Sequence, residues 1–93
     1  MKIVYDDKFK NSFLNIWEFI ALDSKKRANE LKQELRTKIE QTTFFPYKFR
    51  KSIYFNDENI RDLVYKGYTI PYKIDKQNNQ IIILGIKKYT KGL

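Results

Sequence analysis

The chain has 93 residues, a length that supports one domain without disulfides or metal, so residues 1–93 are expected to fold as a single unit. Neither cysteine nor histidine occurs, which excludes thiol nucleophiles, disulfides, histidine general bases and the usual zinc sites; no cofactor or metal is expected, and any catalysis must use Lys, Arg, Tyr or carboxylates. The net charge of +8 is uneven, with ten Lys/Arg against four Asp/Glu in residues 47–93 and nine against seven in residues 1–46. This asymmetry is a footprint for a polyanion, whether nucleic acid, ribosome or an acidic protein.

No run approaches the ~18 apolar residues of a membrane span, and residues 1–7 lack the apolar segment of a signal peptide. A cytoplasmic protein without a membrane partner is expected. The first element is a short β-prone run over residues 2–5, too brief to stand without a later strand beside it. Asp6 or Asp7 can cap the helix that follows, where Phe9, Phe13, Ile16, Trp17, Ile20 and Ala21 recur on one face. Trp17, a large aromatic on that stripe, is expected in the core rather than as a ligand platform.

Asp23 or Ser24 caps a second helix reaching about residue 43, antiparallel to the first because the connection is so short. Its apolar face is Ala28, Leu31, Leu35, Ile39 and Thr42. Glu30, Glu34 and Lys38 at i+4 spacings read as ordinary exposed helix pairs. Phe44-Phe45-Pro46 ends the helix, because proline disfavours helical backbone in the residue before it, and the two rings are expected to fold under the hairpin.

Tyr47-Lys48-Phe49-Arg50-Lys51 alternates rings and cations, which suits nucleic-acid contact and equally a half-buried edge strand. Residues 52–59 read as a loop. Two β-prone runs then fold back at Lys66-Gly67, where glycine supplies the positive φ of a tight turn. In the second run Tyr68, Ile70, Tyr72 and Ile74 share one face. Pro71 has no N–H to donate and must sit at an edge, a bulge or a strand end. A polar turn at residues 75–79 leads into the apolar run Ile81-Ile82-Ile83-Leu84-Gly85-Ile86, a central strand, after which Lys87-Lys88-Tyr89-Thr90-Lys91 leaves the sheet as a basic tail. The order β-α-α-β-β-β predicts an α+β fold, a small antiparallel-rich sheet packed on an N-terminal helical hairpin.

That order, the Phe45-Pro46 break, the strand Ile60-Arg61-Asp62-Leu63-Val64-Tyr65 and the string Tyr68-Thr69-Ile70-Pro71-Tyr72-Lys73-Ile74 together resemble the RelE/ParE superfamily of type II toxin–antitoxin toxins. The resemblance covers the whole chain and implies one of two targets. RelE-like members cleave mRNA on the ribosome, and here Arg61, Lys87, Lys88 and Tyr89 match their catalytic region. Thr69 and Leu63, however, stand where that branch places cations. ParE-like members act on DNA gyrase without cleaving RNA, and share the long helical hairpin, the Phe-Pro exit and the apolar-Pro-Tyr-basic third strand. The ParE branch is the nearer, although its usual C-terminal His and Arg are replaced by the lysine-rich tail.

Either branch implies a cognate antitoxin, an acidic or amphipathic segment covering the basic surface, with apolar grooves along the helices supplying burial. The residues expected to meet the target are Lys48, Arg50, Lys51, Arg61, Lys73, Lys87, Lys88 and Tyr89. Arg61 and Lys73 would otherwise be plain solvent-facing strand positions. A third reading is an unrelated basic module of the same architecture, binding nucleic acid or protein and harmless when expressed alone.

Overall fold

A computed structural model describes residues 1–88. Strand β1 (Lys2–Tyr5) leads into helix α1 (Asp7–Ala21), then α2 (Lys25–Gln41), β2 (Ile60–Tyr65), β3 (Tyr68–Asp75), β4 (Gln80–Ile83) and β5 (Lys87–Lys88). Asp6 is the cap of α1, its carboxylate accepting from the Lys8 N–H at 2.9 Å, and Ser24 caps α2 by accepting from Arg27 N–H at 3.1 Å. The helices run antiparallel: Trp17, late in α1, donates its indole N–H to Asn29, early in α2, at 3.2 Å. Ala28, Leu31, Leu35, Ile39 and Thr42 are all buried, the stripe expected from the sequence.

The sheet order is β1-β4-β3-β2, with β1 parallel to β4 and the other neighbours antiparallel. The sheet is therefore mixed. Lys66 (φ 49°) and Gly67 (φ 82°) both adopt left-handed backbone, the geometry that matches the twist of a two-residue hairpin. Pro71 lies in the middle of a strand that has neighbours on both sides, and a break in the ladder accommodates it. β4 pairs with β3 from Tyr72 to Asp75 and β5 pairs with Tyr68 and Thr69. Between them the chain bows out, and Pro71 only has to accept, from Leu84 N–H at 2.9 Å.

Leu63, Tyr68, Ile70, Tyr72, Ile74, Ile81 and Ile83 meet Phe9, Leu31, Leu35 and Ile39 in one core. The opposite sheet face is covered in part by the loop after α2. Arg50 C=O accepts from Asp62 N–H at 3.0 Å, Ser52 N–H donates to Ile60 C=O at 2.8 Å, and the buried Asp62 carboxylate accepts from Ile53 N–H at 3.1 Å. This stretch supplies a partner for the free edge of β2 without becoming a regular strand.

Four expectations need correction. Lys87 and Lys88 do not trail away from the sheet, because the break at Pro71 leaves the first half of β3 with an open edge that they fill as β5. Phe44 and Phe45 are 74% and 69% exposed, since Tyr72 Oη, donating to Pro46 C=O at 2.5 Å, pins the exit turn outside a core that Tyr72 itself completes. Trp17 is half-buried between the helices and is absent from the core. Residues 47–51 form a single bridge, Lys51 to Arg61, and no edge strand.

Glu34 also departs from the i+4 pattern. It accepts from the Tyr65 hydroxyl and from Lys66 Nζ at 2.5 Å, tying α2 to the β2–β3 turn, while Lys38 Nζ lies 5.4 Å from the Tyr65 ring centroid. The bond from Lys66, then that from Tyr65, holds the Glu34 carboxyl below its usual range. Its contribution to stability is present above the ordinary glutamate pKa and is lost as pH falls through the lowered one. Glu34→Gln is therefore expected to flatten the acid limb of a stability-against-pH curve below about pH 4.5. An acid limb identical to that of the parent chain would contradict this.

Candidate functional site

The cations singled out from the sequence separate into two groups once their partners are known. The first group is engaged. Alternation along β2 places Arg61 beside Tyr72, on the helix-facing side near the strand's start. There its Nε donates to Glu58 C=O at 3.0 Å, Nη1 to Phe49 C=O at 3.2 Å and Nη2 to the Glu58 carboxylate at 3.3 Å, and the guanidinium lies 5.0 Å from the Tyr47 ring centroid. Lys51 reaches the same Glu58 carboxylate at 3.5 Å and Asn56 Oδ1 at 3.2 Å. Arg50 lies 3.6 Å from Asp62, whose side chain is fully buried.

The pairs to Glu58, whose side chain is exposed, add roughly 0–1 kcal/mol each, so their main effect is geometric. Arg61 forks across two backbone carbonyls and a carboxylate, and so joins both ends of the 49–58 loop to β2. It is a loop clamp with little donor capacity left for a substrate.

The second group is free. Lys48, Lys73, Lys87 and Lys88 are exposed and make no ion pair among the described residues. Lys76, which the sequence reading passed over as a turn residue, belongs with them and lies 5.1 Å from the Tyr47 ring centroid. Tyr89 lies outside the described residues.

The sheet also keeps the matching residues apart. Directly paired residues share a face, so Lys87 stands with Thr69 on the side away from the helices, whereas Arg61 stands with Tyr72 on the helix side; Lys88, opposite Tyr68, shares that side with Arg61 but lies four residues along the strand from Tyr72, roughly 13 Å. Thr69 and Tyr72 are three residues apart, roughly 10 Å along the strand. Thr69 is 5% exposed and Leu63 is in the core, so neither position offers a polar head to solvent. Tyr72 is no substitute base: burial first, opposed by the Arg61 charge, pushes its phenol well above the usual range, and its proton is committed to Pro46 C=O.

Lys87 instead lines an open groove of about 280 Å³ with Lys8, Tyr54, Phe55, Pro71 and Leu84, its ammonium 5.5 Å from the Tyr54 ring centroid. A larger groove, about 570 Å³, runs between the helices over Tyr5, Phe9, Phe13, Leu14 and Trp17, edged by Lys10, Lys32 and Arg36. Its length, aromatic floor and basic rim suit an acidic amphipathic segment. The sequence signal for it was the width of the apolar stripe on α1: Leu14 and Trp17 extend the stripe beyond what the sheet can cover.

Comparison with known proteins agrees with this architecture. The family model described as ParE toxin of type II toxin-antitoxin system, parDE, matches residues 3–89. A solved structure of a chromosomal ParDE toxin–antitoxin system from P. aeruginosa superimposes with a TM-score of 0.75 at 14% identity, covering 97% of each chain. The isolated E. coli RelE toxin superimposes with a TM-score of 0.54, also at 14% identity, covering 98% of this chain and 86% of the other. No curated protein sequence matches the chain.

Proposed function

From its membership of the ParE toxin family of type II toxin–antitoxin systems, to which the chain belongs over residues 3–89, we propose that it inhibits DNA gyrase and is silenced when an antitoxin segment occupies the groove between α1 and α2. The observation that carries the choice of gyrase over ribosomal mRNA is the separation of the cations. Cleaving RNA without a metal requires a base at the 2′-hydroxyl and positive charge at the phosphorus, held together within a few ångströms. Here Arg61 is taken up by Glu58 and Phe49 C=O on one side of the sheet, Lys87 stands on the other, and Lys88, on the side of Arg61, is set roughly 13 Å away along the strand.

An inhibitor that acts by binding needs no convergent centre, only a rigid scaffold with accessible cations. Lys48, Lys73, Lys76, Lys87 and Lys88 meet that requirement. The antitoxin reading rests on the second groove, where apolar floor and basic rim occur together and where an acidic partner gains both burial and steering.

The test is induced expression of the chain alone in growing bacteria, following growth, mRNA integrity and plasmid topology in the same culture. Growth arrest with relaxed or linearised plasmid and intact mRNA is the expected result. Rapid mRNA cleavage ahead of any change in topology would overturn it in favour of a ribosome-dependent ribonuclease.

A further inference from the structure

The exit turn of α2 combines features that neither the core nor the helical groove uses. Phe44, Phe45, Pro46, Tyr47 and Lys48 line an open apolar groove of about 570 Å³. Phe44 and Phe45 cannot retreat from solvent: Pro46 C=O is held by Tyr72, and Lys48 N–H closes the turn onto Phe45 C=O at 3.1 Å. Beside them Tyr47 is fixed through its hydroxyl, which donates to Asn59 Oδ1 at 2.6 Å, and carries Lys76 near its ring.

The end of a helix ordinarily repels anions through its free carbonyls. At this one the carbonyls of Ile39, Glu40 and Gln41 are occupied. Thr42 N–H and hydroxyl both donate to Ile39 C=O, Thr43 N–H and hydroxyl both donate to Glu40 C=O, and Phe44 N–H donates to Gln41 C=O.

We propose that this turn is a contact for single-stranded nucleic acid, with bases stacking on Phe44 and Phe45 while Lys48 and Lys76 hold the flanking phosphates. The cations rule against a second copy of the chain, which would bring like charges together. An acidic helix requires a groove several turns long with anchors at i, i+4 and i+7, as between α1 and α2. Five residues carrying two open rings and the cation of Lys48, with Lys76 beside them and neither lysine ion-paired among the described residues, match the scale of one or two nucleotides. The proposal rests on these side chains and not on the choice of gyrase as target.

The test uses the purified full chain and a fluorescein-labelled 12-nucleotide oligothymidine, read by anisotropy across a salt series with no gyrase or ribosome present. Phe44→Ala and Phe45→Ala are each expected to weaken binding about tenfold, since stacking on one ring carries roughly that factor. Lys48→Ala and Lys76→Ala are each expected to reduce the slope of log K against log salt by about 0.7. Both rings are exposed, so circular dichroism of these variants should match the parent chain.

Lys73→Ala and Lys87→Ala, on the far sheet face, serve as controls and should leave both readouts nearly unchanged. The proposal is overturned by binding that ignores both phenylalanines, by equal losses in the two control variants, or by polyglutamate binding with the same dependence on Phe44 and Phe45. Because only the isolated chain and oligonucleotide are present, failure here leaves the target assignment intact. A ribonuclease outcome in cells likewise leaves this contact intact.

Discussion

Replacing Tyr72 with alanine is expected to remove about 3–5 kcal/mol of folding stability, the range for truncating a fully buried aromatic. Tyr72 has no solvent exposure and stands in register with Arg61 on β2 and Ile83 on β4, in the middle of the sheet. It meets Phe49 edge-on at a centroid distance of 6.5 Å and donates its hydroxyl to Pro46 C=O. One side chain thus joins two strands, the 47–51 segment and the exit turn of α2. Domains of this size are stable by about 5–15 kcal/mol in all, so the alanine variant should be near its unfolding threshold.

Tyr72→Phe separates the two contributions. It keeps the packing and leaves Pro46 C=O unpaired, at a cost of about 1–3 kcal/mol, with each kcal/mol lowering Tm by roughly 4–8 °C. Urea and thermal unfolding monitored by circular dichroism check both values. A Tyr72→Phe variant as stable as the parent would show that the hydroxyl does not anchor the exit turn.

Trp17→Ala is expected to weaken antitoxin binding by about 30-fold or more, equivalent to the 2 kcal/mol that marks an interface anchor. Trp17 lines the helical groove with Leu14 and Phe13, and its side chain is only partly buried in the isolated chain. Covering the open part of that ring, together with Leu14, adds to the apolar burial that an occupant of the groove gains. Trp17 also donates to Asn29, so Asn29→Ala is the matched control, removing the hydrogen bond and leaving the ring. The control should change affinity less than threefold. Affinity measured by calorimetry with the antitoxin segment decides the matter, and equal losses for the two variants would mean that the ring acts by holding the helices rather than by meeting the partner.

Arg61 shows why the candidate site was only half legible. Its position on β2 followed directly from the two-residue alternation, and so did its neighbour Tyr72. What the alternation does not contain is Glu58 or the Phe49 carbonyl, which meet the guanidinium because the 49–58 loop folds back along the free edge of β2. Lys76 was missed for the converse reason. It sits in a turn whose local residues explain it completely, and its relation to Tyr47 spans twenty-nine positions.

The helices, the β2–β3 hairpin and its turn at Lys66-Gly67, the buried face of β3 and the overall α+β order were all determined by the sequence alone. Each depends on spacing within a few residues: a stripe repeating every three to four positions, an alternation of two, a cap two or three residues from its donor. Only the tertiary structure decided that β1 lies parallel to β4, that Lys87 and Lys88 return to the sheet, that Phe44 and Phe45 face solvent, and which cations remain free. Those outcomes are set by contacts between segments far apart in the chain, where the competition is for a place in one core and for a few carboxylates, and no local pattern records which residue wins.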